Sequence, residues 1–204
     1  MRELAKQRLA ESVAAKRKML EDERFLHSFE NLTNEVIACL RRGGKLILCG
    51  NGGSASDALH FAGEIVGRFQ LERDAWPAVV LNADVASMTA ISNDYGFQAV
   101  FSRQVQAFAT NRDLLIGIST SGNSENVFQA VRTATEQGVK SGALLGGDGG
   151  KIGQVVNFPV IVPTTVTARV QECHICLIHI LCELVENALS EGENAPALNG
   201  EEIR

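Results

Sequence analysis

Basic residues are in the minority here: 19 Lys and Arg stand against 24 Asp and Glu, a formal net charge of −5 over 204 residues. A general nucleic-acid binder carries a basic excess, so the balance argues against that class. It leaves open a single anion held by local donors. An export signal is also lacking, since the opening MRELAKQRLAESVAAKRKML has no apolar core and no small-residue cleavage site. No apolar run is expected to span a bilayer, because the longest, ICLIHILCELV, is short and interrupted. The five cysteines, Cys39, Cys49, Cys173, Cys176 and Cys182, are an odd set. Without an export signal they read as free thiols in a reducing cytosol. Cys173 and Cys176 form a CxxC spacing with no second pair, on an expected helix, so a reduced packed face is the better reading than a structural zinc site. Strong linkers, low-complexity tracts and short repeats are missing as well. With 45% hydrophobic residues, the chain suits one globular domain, with or without an appendage.

What is present has a clear order. Residues 1–43 read as helices, rich in Ala, Leu, Lys, Arg and Glu and closed by a glycine stop at LRRGG. From Lys45 the texture changes to short apolar runs: KLILCG, PAVVLNAD, RDLLIGIST, VKSGALLGG and FPVIVP. Between them lie helical patterns near 54–68, 84–92, 98–109, 124–137 and 167–189. Strands that are apolar throughout and alternate with helices predict a parallel sheet covered on both faces, over residues 44–190. The polar tail, residues 191–204, contains Gly and Pro and is expected to be loosely ordered.

The segment CGNGGSASDALHF follows the first strand and opens a helix. Its glycines allow positive φ and close approach of a ligand, and the helix start offers unpaired N–H groups. Gly50, Gly52 and Ala55 match G-x-G-x-x-A, but the acids that should follow, Glu72 and Asp74, stand in a polar stretch rather than at a strand end. GGDGGKI is no P-loop, because Ile152 stands where Ser or Thr is required. LLIGISTSGNSENVFQAV repeats the strand–loop–helix arrangement, with Ser119, Thr120, Ser121, Asn123 and Ser124 at the helix start. A tight turn and an elaborate N-cap are the plain readings of these loops. Two hydroxyl-rich loops together suggest one phosphate-bearing ligand at the carboxyl edge of the sheet.

Two helices also carry polar pairs on apolar faces. His60 and Glu64 are four apart and share one face, unless Glu64 pairs with Arg68 instead. In RVQECHICLIHIL, positions 171, 175 and 179 lie along one line, which brings Gln171 and His179 to one side; His174 is the competing histidine.

Taken together, CGNGGSASDALHFAGE, AISNDYGF, LLIGISTSGNSENV and ARVQECHICLIHIL resemble the sugar isomerase (SIS) domain, and more narrowly the phosphoheptose isomerases, over residues 10–190. The resemblance implies a doubly wound five-stranded parallel sheet with N-terminal helices, and a cytoplasmic homotetramer with active sites between subunits. It implies a sugar-phosphate substrate, with no nucleic-acid or membrane partner. It implies conversion of sedoheptulose 7-phosphate to D-glycero-D-manno-heptose 7-phosphate, on the way to lipopolysaccharide heptose. By the same resemblance, Glu64 is the base and His179 the acid, and His60, Glu64, Gln171 and His179 hold a zinc ion. It further implies that Asn51, Gly52, Gly53, Ser54, Glu64, Asn93, Asp94, Ser119, Thr120, Ser121, Ser124 and Gln171 contact substrate. Ala168 departs from members that carry an aspartate there. A related non-catalytic protein, which associates with a replication initiator, is the competing reading; it lacks the acid and histidine that stand here at 64 and 179.

Overall fold

A computed structural model describes residues 1–190; the expectation for the tail, 191–204, lies outside the described residues. Helices α1 (Arg2–Glu21) and α2 (Glu23–Arg41) are separated at Asp22, whose carboxylate accepts the N–H groups of Arg24 and Phe25 and so starts α2. There follow β1 (Leu46–Gly50), α3 (Gly53–Val66), β2 (Ala78–Val80), α4 (Val85–Tyr95), a 3-10 turn (Phe97–Ala99) and α5 (Ser102–Phe108). The chain continues through β3 (Leu114–Ser119), α6 (Glu125–Glu136), β4 (Lys140–Gly146), α7 (Gly150–Gly153), β5 (Phe158–Val162) and α8 (Thr167–Ser190).

The five strands are all parallel, in the order β2-β1-β3-β4-β5. Side chains alternate between the two faces, as strand geometry requires. Leu46, Leu48, Leu114, Ile116 and Ile118 face one core, which α2, α3, α8 and the second half of α1 cover. Ile47, Cys49, Leu115, Ala143 and Leu145 face the other, under α5, α6 and Ile152 of α7. Helix α2 is thus part of the sheet's own packing, and α1 joins that core only through Ala15 and Met19. Asp113 ties the starts of β1 and β3 together, accepting from the Lys45 N–H and ammonium and from the Thr110 N–H and hydroxyl.

One expectation changes. Asn93 and Asp94, beyond the helical pattern expected near 84–92, lie in the last turn of α4; the stop is Gly96, at φ 82°, which takes the left-handed region that neighbouring residues avoid. The helix α8 is, by length and composition, long and apolar enough to cross a membrane, because it extends the interrupted apolar run in both directions. Its Val170, Cys173, Leu177, Ile178, Leu181, Cys182 and Val185 are spent on the core.

Candidate active site

Strands β1 and β3 are neighbours, yet the helices that follow them pack on opposite faces: α3 through Ala58, Phe61 and Ile65, and α6 through Val127, Ala130 and Val131. Ligands of open α/β sheets bind at such a switch point, beyond the strand tips. Both expected loops sit there. Gly50 must be glycine, since a Cβ would lie 2.5 Å from the Ser54 carbonyl oxygen. Gly52, at φ 55°, is the N-cap of α3 and contributes no side chain. In the second loop Ser124 is the N-cap of α6, but its hydroxyl makes no cap bond; it pairs with the Ser119 hydroxyl at 2.9 Å. An elaborate N-cap therefore does not account for this serine cluster.

The loops are joined by two residues. Asn51 and Asn126 exchange amide hydrogen bonds of 2.8 and 2.9 Å, and Asn126 also accepts the Val127 N–H. A pocket of about 410 Å³ opens beside them, lined by Asn51, Phe97, Gln98, Ser124, Glu125 and Asn126. Asn93 and Asp94 are exposed on α4, about one helical turn before Phe97, and their side chains bond each other at 2.8 Å. The segment GGDGGK, unfit as a P-loop, supports the serine loop from behind. The Ile152 and Lys151 N–H groups donate to the Gly122 carbonyl and the Asn123 side chain. A Cβ at Gly146 would stand 2.5 Å from the Thr120 carbonyl oxygen. Asn126 and these glycines went unrecognised in the sequence; the only signal was the clustering of glycines after a strand.

The polar pairs on α3 and α8 converge. The helices lie side by side in the same direction, with Gln171 against Gly53 near their starts and His60 against His179 two turns on. The His60 Nε2 is 2.9 Å from the His179 Nε2 and 3.0 Å from the Glu64 Oε1. One ligand atom from each of the three falls within 4.8 Å of the others. Arg68 pairs with Glu72, which removes it as the partner of Glu64. His174 is fully buried, with its Nε2 on the Leu145 carbonyl, and burial pushes its pKa down to about 4. It is a core residue. Gln171 does not join the trio in this chain: eight residues of helix rise about 12 Å, and its amide rests on Gly53 instead.

Two imidazoles and a carboxylate directed at one point suit a zinc ion, whose protein donors are typically nitrogen, sulfur and carboxylate oxygen. The trio is only half enclosed. Exposed Leu59, Val66, Ile180 and Leu184 stand on the same two helices. A buried network holds the far end. Glu186 accepts the N–H groups of Phe69, Gln70 and Leu71 and the Nε of Arg73. The Phe69 ring stacks on His179 with centroids 5.7 Å apart.

Residues 10–146 match the model of the SIS domain family. The chain is 53% identical to a phosphoheptose isomerase of Geobacter sp. (strain M21) over 162 residues, covering 79% of this chain and 84% of the relative. It is 43% identical to a phosphoheptose isomerase of Clostridium acetobutylicum over 189 residues, covering 93% and 96%. Among solved structures, phosphoheptose isomerase GmhA from Neisseria gonorrhoeae superposes with a TM-score of 0.85 at 42% identity, over 91% of this chain and 98% of that one.

Proposed function

The chain belongs to the phosphoheptose isomerases of the SIS-domain family, and on that premise we propose that the loops at the strand tips and the His60–Glu64–His179 trio divide one sugar phosphate between them. The reaction is an aldose–ketose isomerisation, sedoheptulose 7-phosphate to D-glycero-D-manno-heptose 7-phosphate. The phosphate belongs to the hydroxyls of Ser119, Thr120, Ser121 and Ser124 and the backbone of Asn51, Gly52, Gly53 and Ser54. Neutral donors at helix starts suit a dianion without lysine. Asn93, Asp94 and Gln171 serve the sugar hydroxyls, Gln171 from its seat on Gly53.

Glu64 removes a proton from C1 while His179 gives one to O2, producing the enediol. His179 then takes the O1 proton and Glu64 returns its own to C2, so the proton count closes. His60, Glu64 and His179 would hold a zinc ion, which when bound supplies Lewis-acid stabilisation of charge on the substrate oxygens. As a fourth donor to that ion, Gln171 would have to come from a second copy of the chain. The exposed Leu59, Val66, Ile180 and Leu184 beside the trio support a homotetramer that closes the site between subunits. A cytoplasmic enzyme supplying heptose for lipopolysaccharide completes the reading.

The observation that carries this is the meeting of Glu64 and His179, 115 positions apart, on a single nitrogen of His60. The test is turnover by purified protein across seven-, six- and five-carbon ketose phosphates. The heptulose phosphate should be the best substrate, and Glu64→Gln should lower kcat by about 10²–10⁴-fold. Unchanged turnover by that variant would remove Glu64 as the base, and full activity after chelation would remove zinc.

A further inference from the structure

The trio is held at its far end by groups that lie outside it. The carboxylate of Glu186 on α8, with its side chain 2% exposed, accepts three successive backbone N–H groups, those of Phe69, Gln70 and Leu71, at 2.7, 2.8 and 2.9 Å. It also accepts the Nε of Arg73 at 2.9 Å. Arg73 in turn donates to the carbonyl oxygens of Glu64, at 2.8 Å, and Ile65, at 3.0 Å, which are in the last turn of α3. Those carbonyls have no partner within the helix, so the guanidinium closes the helix end that carries Glu64. Its flat face lies 3.6 Å from the Trp76 ring centroid, which fixes its plane. The same Glu186 bonds seat Phe69, whose ring stacks on His179. One buried ion pair therefore reaches both groups that the mechanism needs: Glu64 through its own carbonyl, and His179 through the Phe69 ring.

We infer that the Arg73–Glu186 pair, through Phe69, is a positioning device of the isomerase site, holding Glu64 and His179 in register with each other. This rests on the isomerase reading above. A charge pair of this burial could equally serve folding alone, and the two roles differ in what they change. A folding role lowers the fraction of native protein and leaves the native molecules working. A positioning role lowers kcat in molecules that are fully folded. Because the pair lies beyond the trio and away from the serine loop, the grip on the phosphate, and with it KM, should hardly change.

The test uses Glu186→Gln, Phe69→Ala and the double variant in the intact protein, with folding verified by circular dichroism and thermal melting. Glu186→Gln should lower kcat on sedoheptulose 7-phosphate about tenfold or more with KM little changed. The double variant should lose less than the product of the two single losses, because Glu186→Gln acts in part through the ring that Phe69→Ala removes. Arg73→Lys, which keeps a charge but cannot reach both carbonyls, gives the same reading if Glu186→Gln does not fold. A second measurement does not depend on turnover. The chain has four histidines, so the ring resonances of His179 can be assigned by substitution. Glu186→Gln, or Arg73→Lys in its place, should shift the His179 ring signal while those of His27 and His174 stay put. Wild-type kcat in a folded variant, losses that multiply in the double variant, or an unmoved His179 signal would overturn the inference. A wild-type protein without turnover but with the His179 shift would sink the isomerase reading alone.

Discussion

Lowering the pH from 7 to 5 should cost the folded protein about 2 kcal/mol through one side chain, His174. Its imidazole is fully buried in α8, with Nε2 on the Leu145 carbonyl and, among the described residues, no partner for Nδ1. Burial disfavours the charged form and drives the pKa from 6.5 to about 4. The sign follows directly: between those values the unfolded chain binds a proton that the folded chain refuses, so stability falls as the pH falls. The full gap corresponds to about 3 kcal/mol, and about two-thirds of it is lost by pH 5. Urea unfolding at pH 7 and pH 5, at one protein concentration, measures it against His174→Gln. That variant keeps a donor for the Leu145 carbonyl and cannot become charged. Contributions from the other side chains are common to both proteins and cancel. The wild type should lose about 2 kcal/mol more than the variant between the two conditions. Equal losses would show that His174 already protonates in the folded state, and the account of it as a sealed core residue would be wrong.

Asn126→Ala removes the amide exchange with Asn51 and the acceptor for the Val127 N–H. It should lower stability by about 1–3 kcal/mol in thermal melts and raise KM for the sugar phosphate, because the two loops lose their tie. Gly146→Ala would drive a methyl group into the Thr120 carbonyl and should weaken phosphate binding, read as a higher KM with the sheet intact by circular dichroism. Asp113 gives an acid limb separate from that of His174. Burial pushes its pKa up, but hydrogen bonds from Lys45 and Thr110 outweigh this and hold it below its ordinary 3.8. Its contribution is therefore complete above that value and is lost as the pH falls through the lower folded value. Asp113→Asn should flatten an acid titration of the folded signal in that range and leave the pH 5–7 range unchanged.

The parts of this molecule that could be read from the sequence are those written in local pattern. Five apolar runs closed by glycine or polar residues gave five parallel strands. The i, i+4 spacing of His60 and Glu64 placed both on one face of α3. The choice between His174 and His179 needed more than pattern, since both stand in one apolar helix. Five residues at 3.6 per turn put them about 140° apart, so only one can face α3 while the other faces the sheet. The helical pattern near 84–92 stops short of Asn93 and Asp94, whereas the helix runs on through both and the backbone turns at Gly96. Asn126, Arg73 and Glu186 could not be found in that way. Their partners lie 75 residues away for Asn51–Asn126 and 113 for Arg73–Glu186, on elements that a parallel sheet brings together only through crossovers. A carboxylate that receives three consecutive N–H groups looks, in one dimension, like any acidic residue near the end of a helix. Its burial is decided by the loop that folds over it, and the loop's course depends in turn on that carboxylate, so neither segment carries the signal alone.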